Sequence, residues 1–90
     1  MEANHMVYIL KCKDGSLYTG YTNDFNRRLR MHEQGKGAKY TRGRGPFEVV
    51  YKQAFLTKEE AMQEEYRIKK LNRPYKEQMI SSYQEKVDSK

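Results

Sequence analysis

The chain has one cysteine, two prolines and no tryptophan among its 90 residues. A single thiol, Cys12, rules out an intrachain disulfide and a cysteine-built zinc site, and it suits a reducing cytoplasm. No apolar run nears the roughly 18 to 20 residues of a membrane span, and the N-terminus lacks the basic start and apolar stretch of a signal peptide. The expectation is a soluble cytoplasmic protein with no membrane partner. A chain of this length holds one domain with a modest core, because it buries only about 60 to 65% of its unfolded surface. The domain is expected over residues 6–83, between loose polar ends at 1–5 and 84–90.

Acidic residues are scarce where basic ones are dense. From Arg27 to Gly45 seven basic residues (Arg27, Arg28, Arg30, Lys36, Lys39, Arg42 and Arg44) stand against one acid, Glu33, within a chain of net charge +6. A local excess of this kind argues for an anionic partner more than the total charge does. A solvated basic surface is the plain alternative.

What the chain does contain is patterned. Met6–Cys12 and Ser16–Tyr21 read as strands around a turn signal, Asp14-Gly15. A two-residue loop would pair Lys13 with Ser16 and set Tyr8 and Tyr18 on opposite faces. A three-residue loop with Gly15 left-handed in a bulge pairs Cys12 with Ser16, Leu10 with Tyr18 and Tyr8 with Gly20, and puts both tyrosines on one face. Gly15 suits the positive φ that this bulge needs, so the second register is favoured.

Thr22-Asn23-Asp24 offers N-caps for a helix to about Glu33, which Gln34-Gly35 ends. A glycine-rich basic loop follows to Pro46, and Phe47–Phe55 reads as a third strand. Thr57-Lys58-Glu59-Glu60 is a capping box, with Leu56 and Ala61 placed as its apolar staple, for a helix from Lys58 to about Leu71. Pro74 suits the first turn of a last helix, with Tyr75, Met79, Ile80 and Tyr83 as its apolar stripe.

Two places break the apolar pattern. On the Lys58–Leu71 helix, Glu65 falls among Ala61, Met62, Ile68 and Leu71, and a carboxylate facing a core must be paired or bound to a cation. Either an ion pair with an arginine or with Lys69, or a divalent metal at the rim of a cleft, would answer. On the first helix His32 projects between Phe25 and Leu29, with Arg28 at the edge. A lone histidine there can be a satisfied core residue and Arg28 a helix-edge arginine over aliphatic surface. Their i, i+4 spacing beside the strand that carries Tyr18 points instead to a site.

With those residues in place, the chain resembles the GIY-YIG nuclease superfamily, and in particular its small stand-alone bacterial members. Val7-Tyr8-Ile9 stands for the first triplet and Tyr18-Thr19-Gly20 for the second. Arg28, His32 and Glu65 match the family's arginine, its histidine or tyrosine, and its metal-binding glutamate. The segment Gly35–Arg42 is similar to one in the small bacterial branch. Val7 and Thr19 depart from the triplets without removing a reacting group, and Asn72 is left unassigned.

The resemblance implies an α+β fold with a three-stranded antiparallel sheet flanked by helices. It implies hydrolysis of phosphodiesters, of DNA in the first instance and in repair or recombination, with one Mg2+ or Mn2+ on Glu65. Arg28 would clamp the phosphate. Tyr18, Tyr8 and His32 would share the work of activating water, since a phenol with an ordinary pKa of about 10 is a poor base without cationic help. Arg27, Lys36, Lys39, Arg42 and Arg44 would hold the backbone of the nucleic acid, and Tyr40 would stack on a base or simply pack. The alternative is a catalytically weak nucleic-acid-binding module on the same fold, with a protein-interaction adaptor further behind.

Overall fold

The computed structural model describes residues 4–88, so the ends at 1–3 and 89–90 lie outside the described residues. The elements run β1 (His5–Lys11), β2 (Leu17–Thr22), α1 (Phe25–Glu33), β3 (Glu48–Phe55), α2 (Lys58–Lys70) and α3 (Arg73–Asp88). The sheet is antiparallel, in the order β2-β1-β3.

The hairpin takes the three-residue loop. Gly15 has φ of 87°, Cys12 N–H donates to Ser16 O at 2.8 Å, and Tyr8 pairs with Gly20 and Leu10 with Tyr18. Asp14 fixes the turn by accepting from the Ser16 backbone N–H (3.0 Å) and hydroxyl (2.6 Å). Because side chains alternate across a strand, this register places Tyr8 and Tyr18 on the same face.

On the opposite face, Val7 and Ile9 pack with Val50, Tyr51, Ala61 and Ile68, and Met79, Ile80 and Tyr83 from α3 close over them. Val50 and Tyr51 enter this core although they are adjacent in sequence. The β1–β3 register jumps from Ile9↔Tyr51 to Leu10↔Val49, so Val50 is the extra residue of a bulge that re-aims its side chain.

Asp24 caps α1 by accepting from Arg27 N–H. Thr57 caps α2 by accepting from Glu60 N–H at 3.2 Å, while the Glu60 carboxylate takes the Thr57 hydroxyl at 3.0 Å. The expected staple does not close, because Leu56 is exposed. Met62 and Tyr75 also face out instead of joining their helices' buried stripes. Two expected loose ends are partly ordered: His5 belongs to β1, where its ring meets the Tyr21 hydroxyl at 2.8 Å, and α3 runs past Tyr83 to Asp88.

Candidate active site

Tyr8 comes from the central strand, Tyr18 from the edge strand β2, and Arg28 and His32 from successive turns of α1. The three rings converge, with centroids 6.4 Å apart for Tyr8 and Tyr18, 5.8 Å for Tyr8 and His32, and 5.3 Å for Tyr18 and His32. Phe25 and Phe47 wall the group at 5.5 Å from Tyr8 and 6.1 Å from His32. The Tyr8 hydroxyl is 2.8 Å from His32 Nε2, and His32 Nδ1 is 2.8 Å from Thr41 Oγ1.

Two glycines make the approach possible. A Cβ on Gly20 would lie 2.5 Å from Tyr8 Oη, and one on Gly37 would overlap His32 Nδ1. Neither glycine has a positive φ, so closeness rather than backbone freedom is what these positions require.

Burial governs the electrostatics. It pushes the Tyr8 phenol up to about 12, opposed by its contact with Arg28 and reinforced by the charges of Tyr18 and Glu65. His32 is held below its ordinary value by burial and then by the Arg28 charge. Around neutral pH Tyr8 is therefore a protonated phenol and His32 a neutral imidazole. Burial disfavours the Arg28 charge, but the phenols of Tyr8 and Tyr18 more than offset this and hold it above the usual arginine range. Arg28 Nε is buried without a hydrogen-bond partner among the described residues.

Glu65 is close enough that its charge acts on Tyr8. Its side chain is 14% exposed, and its carboxylate meets Lys69 Nζ at 3.3 Å, so the lysine pairing foreseen from the sequence does form. Among the described residues no three His, Cys, Asp or Glu side chains cluster, which excludes a closed cage of such ligands there. A hard cation that keeps most of its water and takes one or two carboxylates fits the single donor Glu65.

The basic loop divides. Arg27, Lys36, Lys39 and Arg42 are exposed. Arg44 is engaged, ion-paired with Asp14 and with its guanidinium carbon 4.5 Å from the Tyr40 ring centroid. Tyr40 in turn stacks on Tyr18, at 5.9 Å and 22°. Arg42 and Arg44 line a depression of about 520 Å³ with Lys13. A groove of about 640 Å³ between β3, α2 and α3 contains none of the candidate residues.

Three contributors had no signal in the sequence. Thr41 sits on a single 3-10 turn, Lys39–Thr41, inside what reads as a loop. Phe47 lies just before β3. Lys52 pairs across from Tyr8 on β3 and stands 5.0 Å from the Phe25 ring centroid.

A hairpin presenting two phenols to an arginine, a histidine and a helical glutamate defines a GIY-YIG domain. The profile of the GIY-YIG catalytic domain matches residues 4–78, and the chain belongs to that family. Within it, the chain is similar to small bacterial UPF0213 proteins. It is 66% identical over 80 residues to one from Oceanobacillus iheyensis, covering 89% of this chain and 93% of that one. It is 53% identical over 87 residues to UPF0213 protein YazA of Bacillus subtilis, covering 97% and 85%. The solution NMR structure of a UPF0213 protein from Bacillus halodurans matches with TM-score 0.59 at 64% identity, over 86% of this chain and 82% of that one. An NMR structure of a protein from E. faecalis matches with TM-score 0.64 at 41% identity, over 92% and 88%.

Proposed function

We propose that this chain hydrolyses phosphodiester bonds in nucleic acid, with DNA as the substrate and one Mg2+ or Mn2+ held at Glu65. The observation that carries this reading is Arg28, a half-buried cation beside two phenols whose Nε is buried and has no partner among the described residues. A buried donor without a partner costs stability, and a phosphate oxygen would satisfy it.

Arg28 binds the scissile phosphate through its planar fork and balances the charge that builds on the nonbridging oxygens. Glu65 would hold the cation, which would add to the stabilisation of that charge and of the leaving oxygen. Tyr18, next to Arg28 and under Tyr40, contacts the attacking water or the phosphate. Tyr8, a neutral phenol, exchanges protons between that water and His32, which is the nearest neutral base. The exposed Arg27, Lys36, Lys39 and Arg42 carry the flanking backbone, giving affinity that falls steeply with salt and reads no sequence. Arg44 and Tyr40 act mainly by bracing Tyr18. The single cysteine, buried and free, suits a cytoplasmic setting.

The test is purified protein with labelled DNA and RNA of several structures, with Mg2+ or with chelator, beside Glu65→Ala. Mg2+-dependent cleavage that the substitution abolishes is expected. Salt-sensitive binding without cleavage under every condition would instead support a binding module.

A further inference from the structure

We propose that Thr41 is a positioning residue that fixes which nitrogen of His32 carries the proton, making the imidazole an acceptor for the Tyr8 phenol. The effect on rate rests on the hydrolase reading above; the proton placement does not.

Thr41 is 1% exposed, and its hydroxyl has two polar contacts. Oγ1 donates to the Ala38 carbonyl at 3.0 Å and meets His32 Nδ1 at 2.8 Å. A hydroxyl has one proton, and a carbonyl has none to offer. Both contacts are hydrogen bonds at once only when the Thr41 proton points to Ala38 and its oxygen accepts from Nδ1–H. In that arrangement Nε2 of the neutral imidazole is bare, and the Tyr8 hydroxyl 2.8 Å away donates to it. The chain of bonds has one consistent direction, from Tyr8 to His32 to Thr41 to the Ala38 carbonyl.

The local backbone holds this arrangement. Thr41 N–H also donates to Ala38 O, at 3.1 Å, which closes the 3-10 turn and aims the hydroxyl. Gly37 lies against the imidazole where any Cβ would collide with Nδ1, so only glycine leaves the ring room beside Thr41. The groups facing the ring are Tyr8 from β1, Tyr18 from β2, Phe47 ahead of β3 and Arg28 on its own helix. Arg28 is the one charged group among them, and it favours the neutral ring.

This placement sets the direction of proton flow. As a water oxygen bonds to phosphorus, its proton passes to Tyr8 Oη while the Tyr8 proton passes to Nε2. Tyr8 ends neutral, and His32 becomes an imidazolium whose Nδ1–H still rests on Thr41. The P–O ester bond breaks, the leaving oxygen takes a proton from solvent, and the imidazolium returns its own to solvent through Tyr8. With the opposite tautomer, Nε2–H would face the phenol and no proton could be accepted.

The test is nitrogen NMR of the His32 ring in the whole protein, compared with Thr41→Val and Thr41→Ser. The native ring should show a protonated Nδ1 and a bare Nε2, and Thr41→Ser should keep both. Thr41→Val removes the acceptor, so signal from the Nε2–H tautomer should appear, and kcat should fall roughly ten-fold or more with KM little changed. A native ring protonated at Nε2 would overturn the proposal even if Thr41→Val fails to fold. So would a folded Thr41→Val protein with native ring signals. Absence of cleavage by the native protein overturns the hydrolase reading instead, and leaves the tautomer result standing.

Discussion

Val7 and Ile9 on one face of β1 and Tyr8 on the other are almost equally buried, at 0, 0 and 1% exposed, yet the two faces do different things. The Val7 face meets apolar side chains of α2 and α3, and its interactions are nondirectional. The Tyr8 face meets polar groups from α1 and the loop: His32 and Thr41 are partnered, and Arg28 Nε has no partner among the described residues. Tyr51, on the core side, shows what a structural phenol looks like: its hydroxyl is satisfied by Gln53 two residues along the same strand, at 2.8 Å. Tyr8 instead reaches His32, 24 residues away on another element. Burial alone does not separate core from site; polar partners drawn from distant elements do.

The sharpest way to break the comparison is to substitute one residue on each face. Arg28→Ala should cut cleavage by about a hundred- to a thousand-fold while leaving the circular dichroism spectrum and melting curve near native. Arg28→Lys should recover little, because the planar fork is lost. Ile68→Ala should do the reverse, costing about 2 to 5 kcal/mol in urea titrations with activity per folded molecule unchanged. An Ile68→Ala protein that stays stable but loses cleavage would erase the distinction between the faces.

Gly20→Ala tests the close approach that both functions share. Its Cβ would sit 2.5 Å from Tyr8 Oη and 2.6 Å from Cζ, so the phenol must move. A stability loss of about 1 to 3 kcal/mol together with reduced cleavage is expected from a thermal melt and an activity assay.

The smallest effect is a pH slope. His32 resists protonation when folded, so below its ordinary value of about 6.5 the unfolded chain binds a proton that the folded one refuses. Stability should therefore fall as pH drops through and below that value. In His32→Gln this part of the slope should vanish when urea midpoints are compared between neutral and mildly acid pH.

The hairpin register was legible because Gly15 admits one favourable bulge and Gly20 one favourable neighbour. Glu65 was legible because a carboxylate among Ala61 and Ile68 contradicts the helix's own pattern. Arg28 and His32 followed from helical spacing beside Tyr18. Thr41 was not legible: a threonine in a glycine-rich loop has no periodicity, and only the 3-10 turn brings it beneath the imidazole. Arg44 looked like a phosphate contact by charge, but Asp14 and Tyr40 engage it from positions that spacing does not connect. Leu56, read as a staple, and Met62, read from helix projection, show the limit of apolar patterning, since a small domain has too little surface to cover every apolar side chain.

The β1–β2 turn is also tied from afar. Arg44 grips Asp14 from 30 residues along the chain, and Arg73 at the start of α3 donates to the Gly15 carbonyl at 2.9 Å from 58 residues along. A hairpin of this size closes in roughly microseconds, whereas contacts of long sequence separation come late. The order of assembly follows from this. The two phenols meet first, the imidazole and its threonine join from the next thirty residues, and the glutamate arrives only when α2 docks. The bond from Arg73 to the Gly15 carbonyl is added last, so Arg73→Ala should speed unfolding and leave the folding rate near native in stopped-flow kinetics.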